Sequence, residues 1–217
     1  MNVLCIIPAR MTSQRFPGKC LADLNGKPVL QHVIERCCQS LMTDDVVVAI
    51  PSNLANAPLK DWLAAKKAKF YAPDGVDEDD VLGRFVAVVK HYQPDIVVRV
   101  NGDSPLILPD LIDRAVKELQ ARRSSSYKKR RKGYDCDYVG YCFGSMPSAL
   151  TRYGAPEVFT ASTLLHWASI REHVTPAAYS SGFSHWVELA GSPIATVVDT
   201  PDDLQRVKIQ QDKEKWN

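Results

Sequence analysis

Three cations crowd one short loop near the start of this chain. The apolar run Val3-Leu4-Cys5-Ile6-Ile7 passes straight into Pro8-Ala9-Arg10-Met11-Thr12-Ser13-Gln14-Arg15-Phe16-Pro17-Gly18-Lys19. A buried strand that opens into such a loop is suited to hold an anion, and a polyphosphate is the expected one. Backbone N–H groups and cations near a strand-to-helix turn form an anion-binding concavity. Arg10 and Arg15 each present a planar fork of donors to phosphate oxygens, and Lys19 adds a point charge. The loop carries neither the G-x-x-x-x-G-K-[ST] P-loop nor the G-x-G-x-x-G dinucleotide fingerprint.

Carboxylates supply the complementary chemistry. Arg99-Val100-Asn101-Gly102-Asp103-Ser104-Pro105-Leu106 follows the apolar run Ile96–Val100, which puts Asp103 at the carboxyl end of a strand. Gly102 permits a sharp turn and Pro105 stops the strand. A carboxylate there either caps a turn before the next helix or, facing a triphosphate loop, serves as a Mg²⁺ ligand. Asp199 ends the apolar pair Val197-Val198. After it, Thr200 or Asp202 suits a helix cap and Pro201 a first turn, while Asp202 and Asp203 suit the helix dipole. Arg84, in Asp79-Asp80-Val81-Leu82-Gly83-Arg84-Phe85, opens a helix near the expected cleft. It either serves a base or phosphate, or pairs with a neighbouring acid. His173, in Arg171-Glu172-His173-Val174-Thr175-Pro176, either orients a substrate carboxylate or hydroxyl, or is a satisfied structural histidine.

The elements that must position these groups alternate. Apolar runs at Val3–Ile7, Val46–Ile50, Lys69–Ala72 and Ile96–Val100 read as strands. Helical patterns cover Pro28–Ser40, Leu54–Lys67, Val81–Tyr92 and Pro109–Arg122. Strands separated by helices of this length imply βαβ units, a mostly parallel twisted sheet and a site at the carboxyl ends of the strands. Past Tyr134 the pattern becomes α+β: strands at Tyr138–Phe143, Ala149–Tyr153, His185–Glu188 and Ala195–Val198, with helices near Pro156–Ile170 and Asp202–Lys215.

The spacing Ile-Pro-Ala-Arg-x-x-Ser-x-Arg-x-Pro-Gly-Lys resembles the signature of the acid-sugar cytidylyltransferases, the makers of CMP-KDO and CMP-sialic acid. Gly102-Asp103-Ser104-Pro105-Leu106 resembles that family's Gly-Asp-x-Pro-Leu, and Asp199-Thr200-Pro201-Asp202-Asp203-Leu204 its Asp-Thr-Pro-x-Asp-Leu. Asp80–Phe85 and Arg171–Pro176 resemble stretches of the branch named after spore-coat polysaccharide protein F (SpsF-like). The resemblance implies a GT-A-like Rossmann-type α/β fold with a small α+β acceptor and dimerisation lobe. It implies CTP on Pro8, Ala9, Arg10, Ser13, Arg15, Lys19 and Arg84, and Mg²⁺ on Asp103 and Asp199. Arg10, Lys19 and Asp103 would carry the chemistry, and Glu157 and His173 would serve the acceptor, an acidic sugar. A homodimer is also implied. Ser104 departs from the Cys or Glu more usual there, which bears on the acceptor side. Two other readings remain: a GT-A glycosyltransferase using Asp135-Cys136-Asp137, and a non-catalytic nucleotide-binding module.

With 217 residues the chain suits a single domain, with a nucleotide part over 1–122, an acceptor and metal part over 134–217 and a basic insertion loop over 122–133. Arg122–Lys132 carries seven cations, and subtracting those seven from the net +2 leaves −5. This is a local patch, either a solvated loop or a docking face for an anionic partner, and not the spread basic face of a nucleic-acid protein. The six cysteines form no C-x-x-C pair, so neither a zinc site nor a disulfide framework is expected. No eighteen-residue apolar run and no signal-peptide pattern is present, and a cytoplasmic protein without a membrane span is the expectation.

Overall fold

The computed structural model describes residues 1–123, 137–143, 146–147, 154–169, 184–188 and 197–214. Its centre is β1 (Val3–Pro8), a strand whose residues Val3 to Ile7 are all buried. It pairs in parallel with β4 (Asp45–Ala49) on one side and with β6 (Ile96–Arg99) on the other. β4 in turn pairs in parallel with the short edge strand β5 (Phe70–Tyr71). A strand buried on both faces needs a continuous apolar run, which is what Val3–Ile7, Val46–Ala49 and Ile96–Val98 supply.

Helices cover both faces. Cys5, Ile7 and Val98 pack with α1 (Val29–Cys37), α2 (Ala57–Ala65) and α4 (Pro109–Arg123). Leu4, Ile6 and Val97 point the other way, toward α3 (Val81–Tyr92) and α5 (Ala161–Ser169). Beyond β6 the sheet continues through β9 (Glu157–Thr160) to β7 (Tyr138–Phe143) and β10 (Ser184–Glu188), with β8 (Met146–Pro147) beside β7. β9 runs antiparallel to both of its neighbours, and β10 is parallel to β7. The expected mostly parallel α/β sheet is therefore present, and the α+β half extends the same sheet. Helix α6 (Pro201–Glu214) follows the last described loop. Among the described residues no helix is long and apolar enough to cross a membrane.

Three boundaries differ from the sequence reading. Glu157–Thr160 is a strand where a helix from Pro156 was expected. Its Val-Phe-Thr run suits a pleated surface, and Thr160 Oγ1 caps α5 by accepting from Thr163 N at 3.2 Å. The helix expected over Leu54–Lys67 splits into a 3-10 turn at Leu54–Asn56 and then α2. Residues 197–198 of the expected Ala195–Val198 strand are irregular, and residues 195–196 and Ala149–Tyr153 lie outside the described residues.

Between the loop after β1 and α1 the chain makes an unforeseen hairpin of β2 (Asp23–Leu24) and β3 (Lys27–Pro28). Asn25 and Gly26 turn it at φ 52° and 85°, the positive values of a two-residue I′ turn.

A candidate nucleotide and metal site

The loop after β1 is not a direct strand-to-helix turn. It closes on itself, with Gly18 N donating to Met11 O at 2.7 Å, and ends in a single 3-10 turn, Lys19–Leu21. Gly18 closes it at φ 74°, a left-handed value that favours glycine. Ala9 N is tied to Ala49 O of β4 at 3.1 Å.

The turn after β6 comes up against this loop. A Cβ on Gly102 would stand 2.6 Å from Pro8 O, so only glycine allows the approach. Asp103 is thereby carried to Lys19. The C-terminal segment joins through Val198 N, which donates to Asp103 O at 2.8 Å and sets Asp199 beside Asp103. Asp203 takes no part in the cavity. It is 3% exposed and forms a reciprocal cap with Thr200: Asp203 N donates to Thr200 Oγ1 at 3.2 Å, and Thr200 N to Asp203 Oδ2 at 3.0 Å.

Residues 84 and 180 positions apart in sequence thus share one charge cluster. Lys19 Nζ lies 2.5 Å from Asp103 Oδ2 and 3.0 Å from Asp199 Oδ1. Arg15 Nη2 adds a contact to Asp199 Oδ1 at 2.9 Å, and Arg10 pairs with Asp79. A cavity of about 230 Å³ opens over the cluster, lined among others by Pro8, Ala9, Arg10, Ser13, Arg15, Lys19, Arg84, Asp103 and Asp199. The loop, strand-end and C-terminal residues expected at a nucleotide site therefore meet in one place.

The residues present fit a hard divalent cation. Asp103 Oδ1 is buried and without a hydrogen-bond partner among the described residues. Two carboxylates converge on one positively charged point. Among the described residues no group of three or more His, Cys, Asp or Glu gathers, so Asp103 and Asp199 would need ligand oxygens and water to complete six-coordination, as Mg²⁺ prefers. Cys20 also lines the cavity, but burial pushes its thiol up to about 11, so it is protonated at neutral pH.

The cavity floor holds residues that the sequence did not single out. Arg99 and Asn101 line it. Arg99 Nη1 donates to Glu157 Oε2 at 2.7 Å across the β6–β9 pair, and Tyr138 donates its hydroxyl to Glu157 Oε1 at 2.7 Å. Glu157, expected at the acceptor, thus stands behind Arg99 and is absent from the cavity lining. An arginine closing an otherwise apolar strand, two residues before an Asn-Gly-Asp, was the available signal. Arg84 is 1% exposed, and its Nη1 donates to Glu78 O at 2.5 Å and Asp77 O at 3.4 Å, so it holds backbone carbonyls as well as facing the cavity. Burial, then the nearby Arg10 charge, holds its pKa below the ordinary value. Ser104 is fully buried against Gly154 and lines no part of the cavity. Asp137, the described member of the Asp-x-Asp pair, bonds Arg123 and lies outside the cavity. His173, Asp135, Cys136 and residues 124–132 lie outside the described residues.

A family model described as cytidylyltransferase matches residues 4–178. The chain belongs to the cytidylyltransferase family. A 3-deoxy-manno-octulosonate cytidylyltransferase of Pelobacter propionicus is 35% identical over 119 residues, which is 55% of this chain and 45% of that protein. The cytidylyltransferase alignment with such curated relatives thus spans about half of their length. A solved cytidylyltransferase of Leptospira borgpetersenii superposes with a TM-score of 0.77 at 24% identity, over 96% of this chain and 85% of that one. A CMP:2-keto-3-deoxy-manno-octonic acid synthetase solved with CTP gives 0.72 at 22%, over 99% and 100%. At these identities the likeness bears on the cytidylyltransferase fold.

Proposed function

We propose that the protein is a Mg²⁺-dependent cytidylyltransferase that joins CTP to an acidic sugar, giving a CMP-sugar and pyrophosphate for surface polysaccharide or glycan synthesis. The convergence of Arg10, Arg15 and Lys19 with Asp103 and Asp199 on one cavity carries this reading. In the reaction a sugar hydroxyl oxygen forms a bond to the α-phosphorus. The bond from that phosphorus to the bridging oxygen breaks, pyrophosphate leaves with the electron pair, and the hydroxyl proton passes to solvent. No protein nucleophile or dedicated base is required.

Each side chain has a distinct task. Arg10, Arg15 and Lys19 release their carboxylate partners and take the β- and γ-phosphate oxygens, where negative charge builds as pyrophosphate departs. Asp103 and Asp199 hold the metal, which when bound supplies Lewis-acid polarisation of the α-phosphate. Pro8, Ala9 and Ser13 line the nucleotide side, with Arg84 beneath it. Arg99, neutralised by Glu157, and Asn101 form a floor that orients the reactants, and positioning is a large part of such catalysis. Glu157 acts on the acceptor through Arg99, and His173 is proposed for the same side.

A cytoplasmic homodimer without nucleic-acid partners goes with this reading. So does a single domain divided functionally at the 122–133 loop. No described residue favours the glycosyltransferase alternative, since Asp137 is engaged by Arg123 away from the cavity.

Pyrophosphate release with Mg²⁺ is the test, crossing CTP, UTP, GTP and ATP against acidic and neutral sugars. Release with CTP and one acidic sugar, lost in Asp103→Asn, is expected. Nucleotide binding without turnover on any sugar would favour the non-catalytic module.

A further inference from the structure

The phosphate loop has no long helix N-terminus behind it, so its shape must come from elsewhere. Its backbone at Met11 is used on both sides: Met11 O accepts from Gly18 N, and Met11 N donates to Asn56 Oδ1 at 2.8 Å. Asn56 is 1% exposed, and its amide has one allowed orientation. Its Nδ2 donates to Asn53 Oδ1 at 2.7 Å and to Glu78 Oε1 at 3.2 Å, both acceptors, so the oxygen must face Met11. Glu78 gathers the arrangement. Its carboxylate also accepts from the Thr12 hydroxyl and, at 2.9 Å, from Asn53 Nδ2. Its own backbone carbonyl is pinned by the buried Arg84. Burial pushes the Glu78 carboxyl up, but the hydrogen bonds from Thr12, Asn56 and Asn53 and the Arg10 charge outweigh this and hold it below the ordinary range.

We infer that Glu78 and Asn56 are positioning residues that preform the phosphate loop and so set nucleotide affinity without touching the nucleotide. Neither lines the cavity. The chain of contacts runs from Arg84, through the backbone of residues 77–78, to the Glu78 carboxylate, then to Thr12 and Asn56, and so to the Met11 amide. A loop held in its binding shape before the ligand arrives loses less freedom on binding. The inference rests on the nucleotide reading of the cavity.

The experiment pairs two readouts on wild type, Glu78→Gln, Thr12→Val and Thr12→Ser: calorimetric binding of CTP with Mg²⁺, and hydrogen exchange at the Met11 amide in the free protein. Gln keeps the size of Glu but replaces one acceptor oxygen with a donor. Glu78→Gln should weaken CTP roughly tenfold and speed Met11 exchange, with the melting temperature held. Thr12→Val should weaken CTP by a smaller factor, and Thr12→Ser, which keeps the hydroxyl, should restore wild-type binding. In turnover the loss should fall on KM for CTP and not on kcat. Wild-type affinity and wild-type exchange in Glu78→Gln would overturn the inference. A wild-type protein that binds no CTP would refute the nucleotide reading and the affinity claim with it. Met11 exchange in the same samples would then still show whether Glu78 shapes the loop.

Discussion

The cations of the cavity fall into two groups. Those of the loop after β1 are paired with carboxylates, which on the proposed function a ligand or metal would displace: Arg10 with Asp79, Arg15 with Asp199, and Lys19 with Asp103 and Asp199. Those of the floor are built in. Arg84 holds two backbone carbonyls, and Arg99 holds Glu157, itself fixed by Tyr138. Exposure alone does not draw this line, since the Arg15 side chain is 68% exposed but that of Lys19 is 13%, the same as that of Arg99. The difference separates function from architecture. Exchangeable cations should govern ligand affinity and leave stability alone, whereas built-in ones should govern stability first.

The largest effect expected is catalytic. Asp103→Asn removes a carboxylate whose second oxygen has no partner among the described residues, and turnover should fall by about 10³-fold with the melting temperature nearly unchanged. Glu157→Gln takes away the carboxylate facing Arg99 and should lower stability by about 3 kcal/mol in denaturant titration. A stability loss in Asp103→Asn comparable with that of Glu157→Gln would break the division. Arg84→Met should be milder in denaturant, at about 2 kcal/mol, because two carbonyls lose their donor. Arg15→Met should leave stability within about 1 kcal/mol of wild type, because the Arg15 side chain is largely exposed and Asp199 keeps Lys19, while weakening CTP.

The smallest effect is pH-dependent. The Cys20 thiol is raised from 9.0 to about 11 by burial, so the folded state favours the neutral form. Its contribution is fully present below pH 9.0 and is lost as pH rises through about 11. Denaturant midpoints across that window should fall more steeply for wild type than for Cys20→Ala.

The sequence displayed the exchangeable group far better than the built-in one. Arg10, Arg15 and Lys19 sit within ten residues of one another, and Asp103 is flagged by the Gly before it and the Pro after it. Val81–Tyr92 and Tyr138–Phe143 have the bounds that their periodicity predicts. The brace and floor contacts were hidden because their partners lie far apart: Thr12 and Glu78 are 66 positions apart, and Arg99 and Glu157 are 58. Only the sheet register brings Arg99 opposite Glu157. The β2–β3 hairpin is a different kind of miss, because Asn25-Gly26 is a strong local turn signal. β9 was absorbed into a helix because its four residues run directly into the Thr160 cap.

A crystal structure with CTP and Mg²⁺ would test the central claim most directly. The triphosphate should lie on Arg10, Arg15 and Lys19, with the metal between Asp103 and Asp199 and Lys19 withdrawn from both. Arg84 and Arg99 should keep the partners they have now. A nucleotide bound elsewhere, or Lys19 still bridging the two carboxylates with CTP in place, would contradict the account.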